Sequence, residues 1–261
     1  MPPMQLSWDL HVHPGPSSVP RWGTGAELQA ACARAGLAGF VWKSHDGHTA
    51  RAARALPTDG PRAVGSVSLN VWATVANVTE ALADGALWVW GPTYLEGHVG
   101  WDLPLPVAWH AFADLLASVT TPLVLCTGHL GAPGRLAFAE FQAPLRHIAC
   151  SITHALYLDP AEVETLRDLG CLFEVDLYTS SRAIHGRPRT DTAAGVRALR
   201  AAGADVYVTT DCGQKDVGDP YVFSRRALDA LATDLGEDVV TKVARDNPRR
   251  LAERIVAGRL L

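Results

Sequence analysis

The chain has 261 residues, 48% of them apolar, and a formal net charge of −4. That length can bury one large α/β core or two small ones. The scattered, near-neutral charge leaves no footprint for nucleic acid or an acidic membrane surface, and no apolar run reaches the roughly 18 residues of a membrane span.

From the N-terminus, LSWDLHVH is an apolar run that ends in two histidines and is broken by PGPS. On a strand His11 and His13 share one side. Two imidazoles where a strand yields to a loop can chelate a metal; two solvated polar residues at a strand tip are the plain alternative. TGAELQAACARAG follows with helical spacing, a capping Thr24 and a terminating Gly36. The pattern then repeats through LAGFVWKSH, AVGSVSLN, ALWVWGPT, PLVLCTGH, ACSITHAL, CLFEVDLYT and ADVYVTTDCG. Between them lie amphipathic stretches such as PVAWHAFADLLASV, DPAEVETLRDLG (capped by Asp159) and TDTAAGVRALRAAG (capped by Thr190). Continuous apolar strands belong to parallel sheets covered on both faces. Eight strand–helix units in this length predict an α/β protein, a single-domain (β/α)8 TIM barrel over residues 1–261. A doubly wound open sheet would use fewer strands and a phosphate-binding glycine turn, and neither GxGxxG nor a Walker pattern occurs. Five cysteines without a CxxC pair argue against a disulfide framework. With an N-terminus unlike a signal peptide, they point to a cytoplasmic protein.

Active sites of such barrels lie at the C-terminal strand ends. Those ends carry His11, His13, Lys43, His45, Asn70, Thr93, His129, His154, Tyr178 and Asp211. The other histidines, His48, His98, His110, His147 and His185, read as loop or helix residues; His48, in a loop or first helical turn, either touches substrate or, by the plainer reading, is simply solvent-exposed. Imidazoles gathered with a carboxylate form the donor set of a divalent ion, zinc first, with manganese or iron after it.

On these residues the chain resembles the amidohydrolase superfamily of metal-dependent barrel hydrolases. The matching features are His11-Val12-His13 in the first run, His129 in CTGHL, His154 in ITHAL, Asp211 in TTDCG and the DNPRRL helix start at Asp246–Leu251. Lys43-Ser44-His45 in the second run resembles a small subgroup. The fourth run lacks the glutamate or lysine with which many two-metal members bridge their ions. Lys43 and His45 are the available substitutes, Lys43 as a carbamate bridge, a substrate clamp or a buried ion-pair partner.

The resemblance implies a small-molecule substrate and one or two ions per chain. His11 and His13 would hold the more buried ion. Asp211 would be a shared ligand or the base that takes a proton from water acidified by the metal; capping the next helix is its structural alternative. His129 and His154 would hold a second ion or orient substrate. Glu174 and Asp176 share a face of the seventh run, and Glu174 is a candidate ligand or acid; salt bridging in the barrel wall is equally open. Asp9 either fixes a histidine tautomer or makes a buried structural hydrogen bond. Cys126 and Cys212 lie near the site and read as small packing residues. Arg21, Trp22, Tyr94, Trp101, Tyr178, Arg182 and Arg187 sit in loops that suit a compact substrate bearing a carboxylate or ring, or simply pack there. SSRAIHGRPRT reads as a lid. Trp72, Trp88 and Trp109 belong to the core or to a homo-oligomer interface. The expected reaction is hydrolysis of an amide, lactam, lactone or ester. The alternatives are a phosphoesterase similar to the polymerase-and-histidinol-phosphatase family, which would use His45, a metal-dependent decarboxylase or lyase, and a non-catalytic barrel. Asp211 separates the last, because a barrel that only binds has little need of a carboxylate beside the metal's water.

Overall fold

The computed structural model describes residues 4–96, 98–184 and 186–259. Eight parallel strands follow one another around a nearly closed barrel: β1 Trp8–Val12, β2 Gly39–Trp42, β3 Arg62–Ser68, β4 Trp88–Trp90, β5 Leu123–Cys126, β6 Ile148–Ile152, β7 Leu172–Asp176 and β8 Asp205–Thr209. Helices cross between them, so every strand is covered on its outer face, and the continuous apolar runs follow from that burial. β8 returns to β1 through a single bridge, Val12 to Cys212. Two hydrogen bonds carry this seam, from His13 N to Cys212 O at 2.8 Å and from Asp211 N to His11 O at 2.8 Å. An antiparallel hairpin, Tyr94–Leu95 with His98–Val99, stands outside the barrel after β4.

Each strand ends earlier than its apolar run. Lys43, His129, His154 and Asp211 all lie beyond the last paired residue, in the βα loops. The barrel interior is filled by Trp8, Leu10, Val41, Trp88, Trp90 and Tyr207, among others. The C-terminal helix Asn247–Val256 sends Leu251 and Ile255 into the same cluster. Asn247 Nδ2 donates to Val206 O at 2.7 Å, and Arg250 meets Asp205 at 2.6 Å at the start of β8. This helix therefore plugs the end of the barrel opposite the βα loops. Trp88 and Trp109 are buried and Trp72 is half-buried, so these tryptophans belong to the fold rather than to an exposed patch.

Helix Gly25–Ala35 begins with the Thr24–Glu27 capping box and ends at Gly36 in the left-handed region (φ 74°), as its sequence dictates. In helix Thr192–Ala201 the cap is Asp191, whose carboxylate accepts from Ala194 N, and not Thr190. All five cysteines are free and buried. Among the described residues no helix is long and apolar enough to cross a membrane.

Gly91 and Gly128, after β4 and β5, bring two loops into backbone contact beneath His129. Gly128 has φ +59°, and a Cβ there would strike the Gly91 carbonyl. Gly128→Ala combines left-handed strain with overpacking and is expected to destabilise by about 3 kcal/mol. A urea midpoint unchanged from wild type would contradict the contact.

Candidate metal and catalytic site

The end of β1, which carries His11, and the βα loops, which carry His13, Lys43, His129, His154 and Asp211, meet at one buried centre. His11 Nδ1 donates to Glu174 Oε1 at 2.6 Å, His154 Nδ1 to Asp176 Oδ2 at 2.6 Å and His129 Nδ1 to Gly100 O at 2.8 Å. Each acceptor is a carboxylate or carbonyl oxygen, so the ring proton lies on Nδ1 and the lone pair on Nε2. Those Nε2 atoms turn inward: His11 Nε2 is 3.1 Å from His13 Nε2, and His154 Nε2 is 3.2 Å from His129 Nε2. Asp211 Oδ1 lies 3.1 Å from both His11 Nε2 and His13 Nε2. His13 Nδ1 is the exception, buried without a partner.

Two imidazole lone pairs facing each other at 3.1–3.2 Å repel unless a cation or proton stands between them. The separations fit a metal. With metal–nitrogen bonds of about 2.0–2.1 Å, neighbouring donors sit roughly 2.9–3.4 Å apart, from octahedral to tetrahedral angles. The residues therefore fit the divalent ion that the sequence suggests. The donor atoms gather in two groups that share Asp211, His11–His13–Asp211 and His154–Asp176–Asp211; in the second, Asp176 holds the Nδ1 side of the His154 ring while His129 faces its Nε2.

The protonation states agree. Burial pushes the Asp211 carboxyl up, but His11 and His13 outweigh it and hold the group well below the usual carboxylate range. Burial, with the Arg21 charge, keeps His13 well below the usual imidazole range, and burial with His154 does the same for His129. Burial also pushes His154 down, yet Asp176 outweighs it and the net movement is upward. The centre thus offers an ionised carboxylate and the neutral rings of His13 and His129, and a proton is favoured on His154 when no ion competes for it.

Both His154 (φ 56°) and Asp211 (φ 51°) are non-glycine residues in the left-handed region. That conformation costs on the order of 1 kcal/mol each and clusters at functional sites. It aims each side chain back over the barrel mouth. Thr179 Oγ1 donates to Asp211 Oδ2 at 2.6 Å and leaves Oδ1 facing the rings.

Lys43 is buried, with Nζ 3.1 Å from His11 Nε2 and 4.3 Å above the Trp90 ring. Burial pushes its ammonium down against the pull of Asp211 and Glu174. His45 is half-buried and stacks on His13 at 4.7 Å, while its Nδ1 engages Thr93 Oγ1 at 2.8 Å. Burial, with Lys43 nearby, pushes His45 down to about 3. It borders the centre but belongs to neither group.

Glu174 sits behind His11 and not among the converging donors, because its second oxygen accepts from Tyr207 OH at 2.9 Å. Asp176 sits likewise behind His154. These two carboxylates, not Asp9, hold histidine rings. Asp9 accepts from Thr209 Oγ1 and Thr210 Oγ1 (2.6 and 2.7 Å) and ties β1 to the end of β8, the structural alternative of the sequence reading. Trp101 was placed only in a loop by the sequence; it stacks on His129 at 4.3 Å and meets His154 edge-on at 4.8 Å. His48 lies on the surface beside Glu80 and Asp84, where Arg51 pairs with both acids, and does not reach the cavity. His147 points at Leu116 O, and His185 lies outside the described residues.

Burial pushes the Asp9 carboxyl up to about 6, more than its four hydrogen bonds lower it. A carboxyl raised on folding adds stability that is fully present below its unfolded value near 3.8 and is lost as pH rises through about 6. The displacement corresponds to about 3 kcal/mol. Asp9→Asn, relative to wild type, should therefore gain about 3 kcal/mol between pH 4 and pH 7. Parallel urea titrations check this; a difference that does not change with pH would refute it.

The cavity above the centre holds about 380 Å³ and is walled by Arg21, Tyr94, Trp101, Tyr178 and Gln214. A larger concavity of about 710 Å³ lies at the opposite end, along the C-terminal helix, lined by Arg62, Lys242, Arg249 and Glu253. Its lining contains no histidine or cysteine, whereas His13, His45, His129 and His154 line the smaller one.

Residues 7–99 match a family of unknown function, DUF6282. No curated protein matches the chain. Among solved structures, a prolidase complexed with N-methylphosphonate-L-proline is 13% identical with a TM-score of 0.65, over 95% of this chain and 74% of that one. A lactonase from Listeria monocytogenes is 16% identical with a TM-score of 0.58, over 94% of both chains. The ochratoxinase of A. niger is 14% identical with a TM-score of 0.54, over 94% of this chain and 70% of that one. At such identities the likeness establishes the fold. The chain has the barrel of amidohydrolase-type enzymes, and the resemblance read from its sequence is borne out at that level.

Proposed function

We propose that the protein is a metal-dependent hydrolase of small molecules, acting on an amide, lactam, lactone or ester. The observation that carries this reading is the convergence of four imidazole Nε2 atoms and an ionised carboxylate at the mouth of the barrel. The similar structures are a prolidase, an ochratoxinase and a lactonase, all hydrolases, and this supports it. His11, His13 and Asp211 would hold one ion, and His129 with His154 a second or a completed single site. Zinc suits this imidazole–carboxylate set, and the free buried cysteines suit a reducing cytoplasm. The ion supplies a polarised carbonyl and a water of lowered pKa. The chain supplies the rest. Asp211, ionised and within the cavity, accepts the proton of the attacking water and delivers it to the leaving group. Glu174 and Asp176 keep the His11 and His154 rings turned inward. Trp101 and the aromatic walls shield the centre from bulk water.

Nothing favours the phosphoesterase reading, since His45 stands outside both donor sets. Elemental analysis of purified protein, reconstituted with zinc or manganese, is expected to give one or two ions per chain. In folded His11→Ala/His13→Ala at least one should be lost. Metal-free wild type after reconstitution overturns the reading. Two ions falling to one in Lys43→Met would assign Lys43 the bridging role.

A further inference from the structure

Three guanidinium groups stand about the cavity, and two of them are ion-paired. Arg182 pairs with Asp216 at 2.9 Å and Arg187 with Asp102 at 2.7 Å. Arg21 is different. It lines the cavity, and its side chain makes no hydrogen bond or ion pair among the described residues. The charged and polar groups that face it are Asp211, Asp46, Tyr178 and Tyr94, with His13 and His45 alongside. Both carboxylates are committed elsewhere. Asp46 accepts from Ser17 Oγ, Ser18 N and Ser18 Oγ, and Asp211 turns to the imidazoles and Thr179.

Arg21 is half-buried, and its Nε is withdrawn from water without a partner, which costs free energy. An unpaired guanidinium on the cavity wall marks the place of an anion that the protein does not itself provide. We propose that Arg21 is the anion-recognition group of this cavity and that the substrate carries a carboxylate. The planar fork of arginine matches a carboxylate through two parallel hydrogen bonds. One guanidinium faced by Asp46 and Asp211 suits a monoanion. Arg21 fixes the acid end of the molecule, Tyr94, Trp101 and Tyr178 enclose its body, and the bond to be broken faces the histidines. A cavity of about 380 Å³ accommodates a compact organic acid. The fate of that bond rests on the hydrolase reading; the carboxylate subsite does not.

Calorimetric titration with N-benzoylglycine and its primary amide, N-benzoylglycinamide, isolates the carboxylate. Wild type is expected to prefer the acid by at least about tenfold, in metal-loaded and in metal-stripped protein alike. Arg21→Gln should reduce the preference to within about twofold, and Arg21→Lys should keep part of it. Arg21→Met should leave Tm within a few degrees of wild type, because the side chain makes no hydrogen bond or ion pair among the described residues. A structural arginine would lower Tm by more on replacement. The proposal is overturned if wild type binds neither compound or shows no preference, if the preference survives in Arg21→Gln, or if it exists only with metal bound. Turnover separates the two readings. An Arg21-dependent preference in a protein that cleaves no amide, lactam, lactone or ester sinks the hydrolase and leaves the subsite. Cleavage of neutral esters with no preference for acids does the reverse.

Discussion

Asp211→Asn is expected to lower turnover by about 10²–10⁴, the usual contribution of a positioned acid–base group, while leaving the metal in place. Asparagine keeps the shape and one oxygen donor but cannot take a proton. The four imidazoles that face the ion are untouched by the change. Thr179 Oγ1 can still donate to the amide oxygen, so the left-handed turn at position 211 stays supported. Steady-state kinetics together with metal content decide the matter. Turnover within about tenfold of wild type, with metal retained, would remove Asp211 from the role of base.

Glu174→Gln and Asp176→Asn are each expected to weaken metal affinity by about 10–100-fold, although neither residue is among the converging donors. Each carboxylate accepts the Nδ1 proton of a ring whose Nε2 faces the centre. An amide in its place can turn a donor toward the ring, favour the other tautomer and put the proton where the ion should be. Chelator competition on the two variants measures the loss. Asp9→Asn is the matched control, because Asp9 is equally buried, yet bonds threonines and no imidazole ring. If Glu174→Gln and Asp9→Asn lose affinity equally, the effect comes from general disturbance of the core and the positioning role fails.

The barrel was legible because strands buried on both faces spell continuous apolar runs, and because caps such as Thr24 and terminators such as Gly36 punctuate them. The donor histidines were legible because imidazoles fall where those runs end. What the sequence hid depends on pairing across the barrel. Glu174 and Asp176 read as two acids on one strand face. Their separate partners, His11 and His154, lie on other strands, and no local spacing reveals which acid meets which ring. Asp9 shares a face with His11 and looked equally suited to hold a ring. Its oxygens are instead drawn to Thr209 and Thr210 across the seam. The stacking of Trp101 on His129 depends on how the loop after β4 folds back, which periodicity does not encode. The run lengths overshot for a related reason: polar residues following an apolar strand look like its continuation when they are the first residues of a loop.

The other strand neighbours in the barrel share at least two registered pairs, whereas β1 and β8 share one bridge, made by the residues that carry the donors. The ring of strands is therefore fastened by a clasp, and the proposed ion would sit on it. An ion held by His11, His13 and Asp211 would add its binding free energy to the weakest joint of the cylinder, about 4 kcal/mol at a thousandfold excess over Kd. Stripping the metal would cost more than activity. The amide protons of His13 and Asp211 are then expected to be the first in the barrel wall to exchange with solvent, as the cylinder opens along that line.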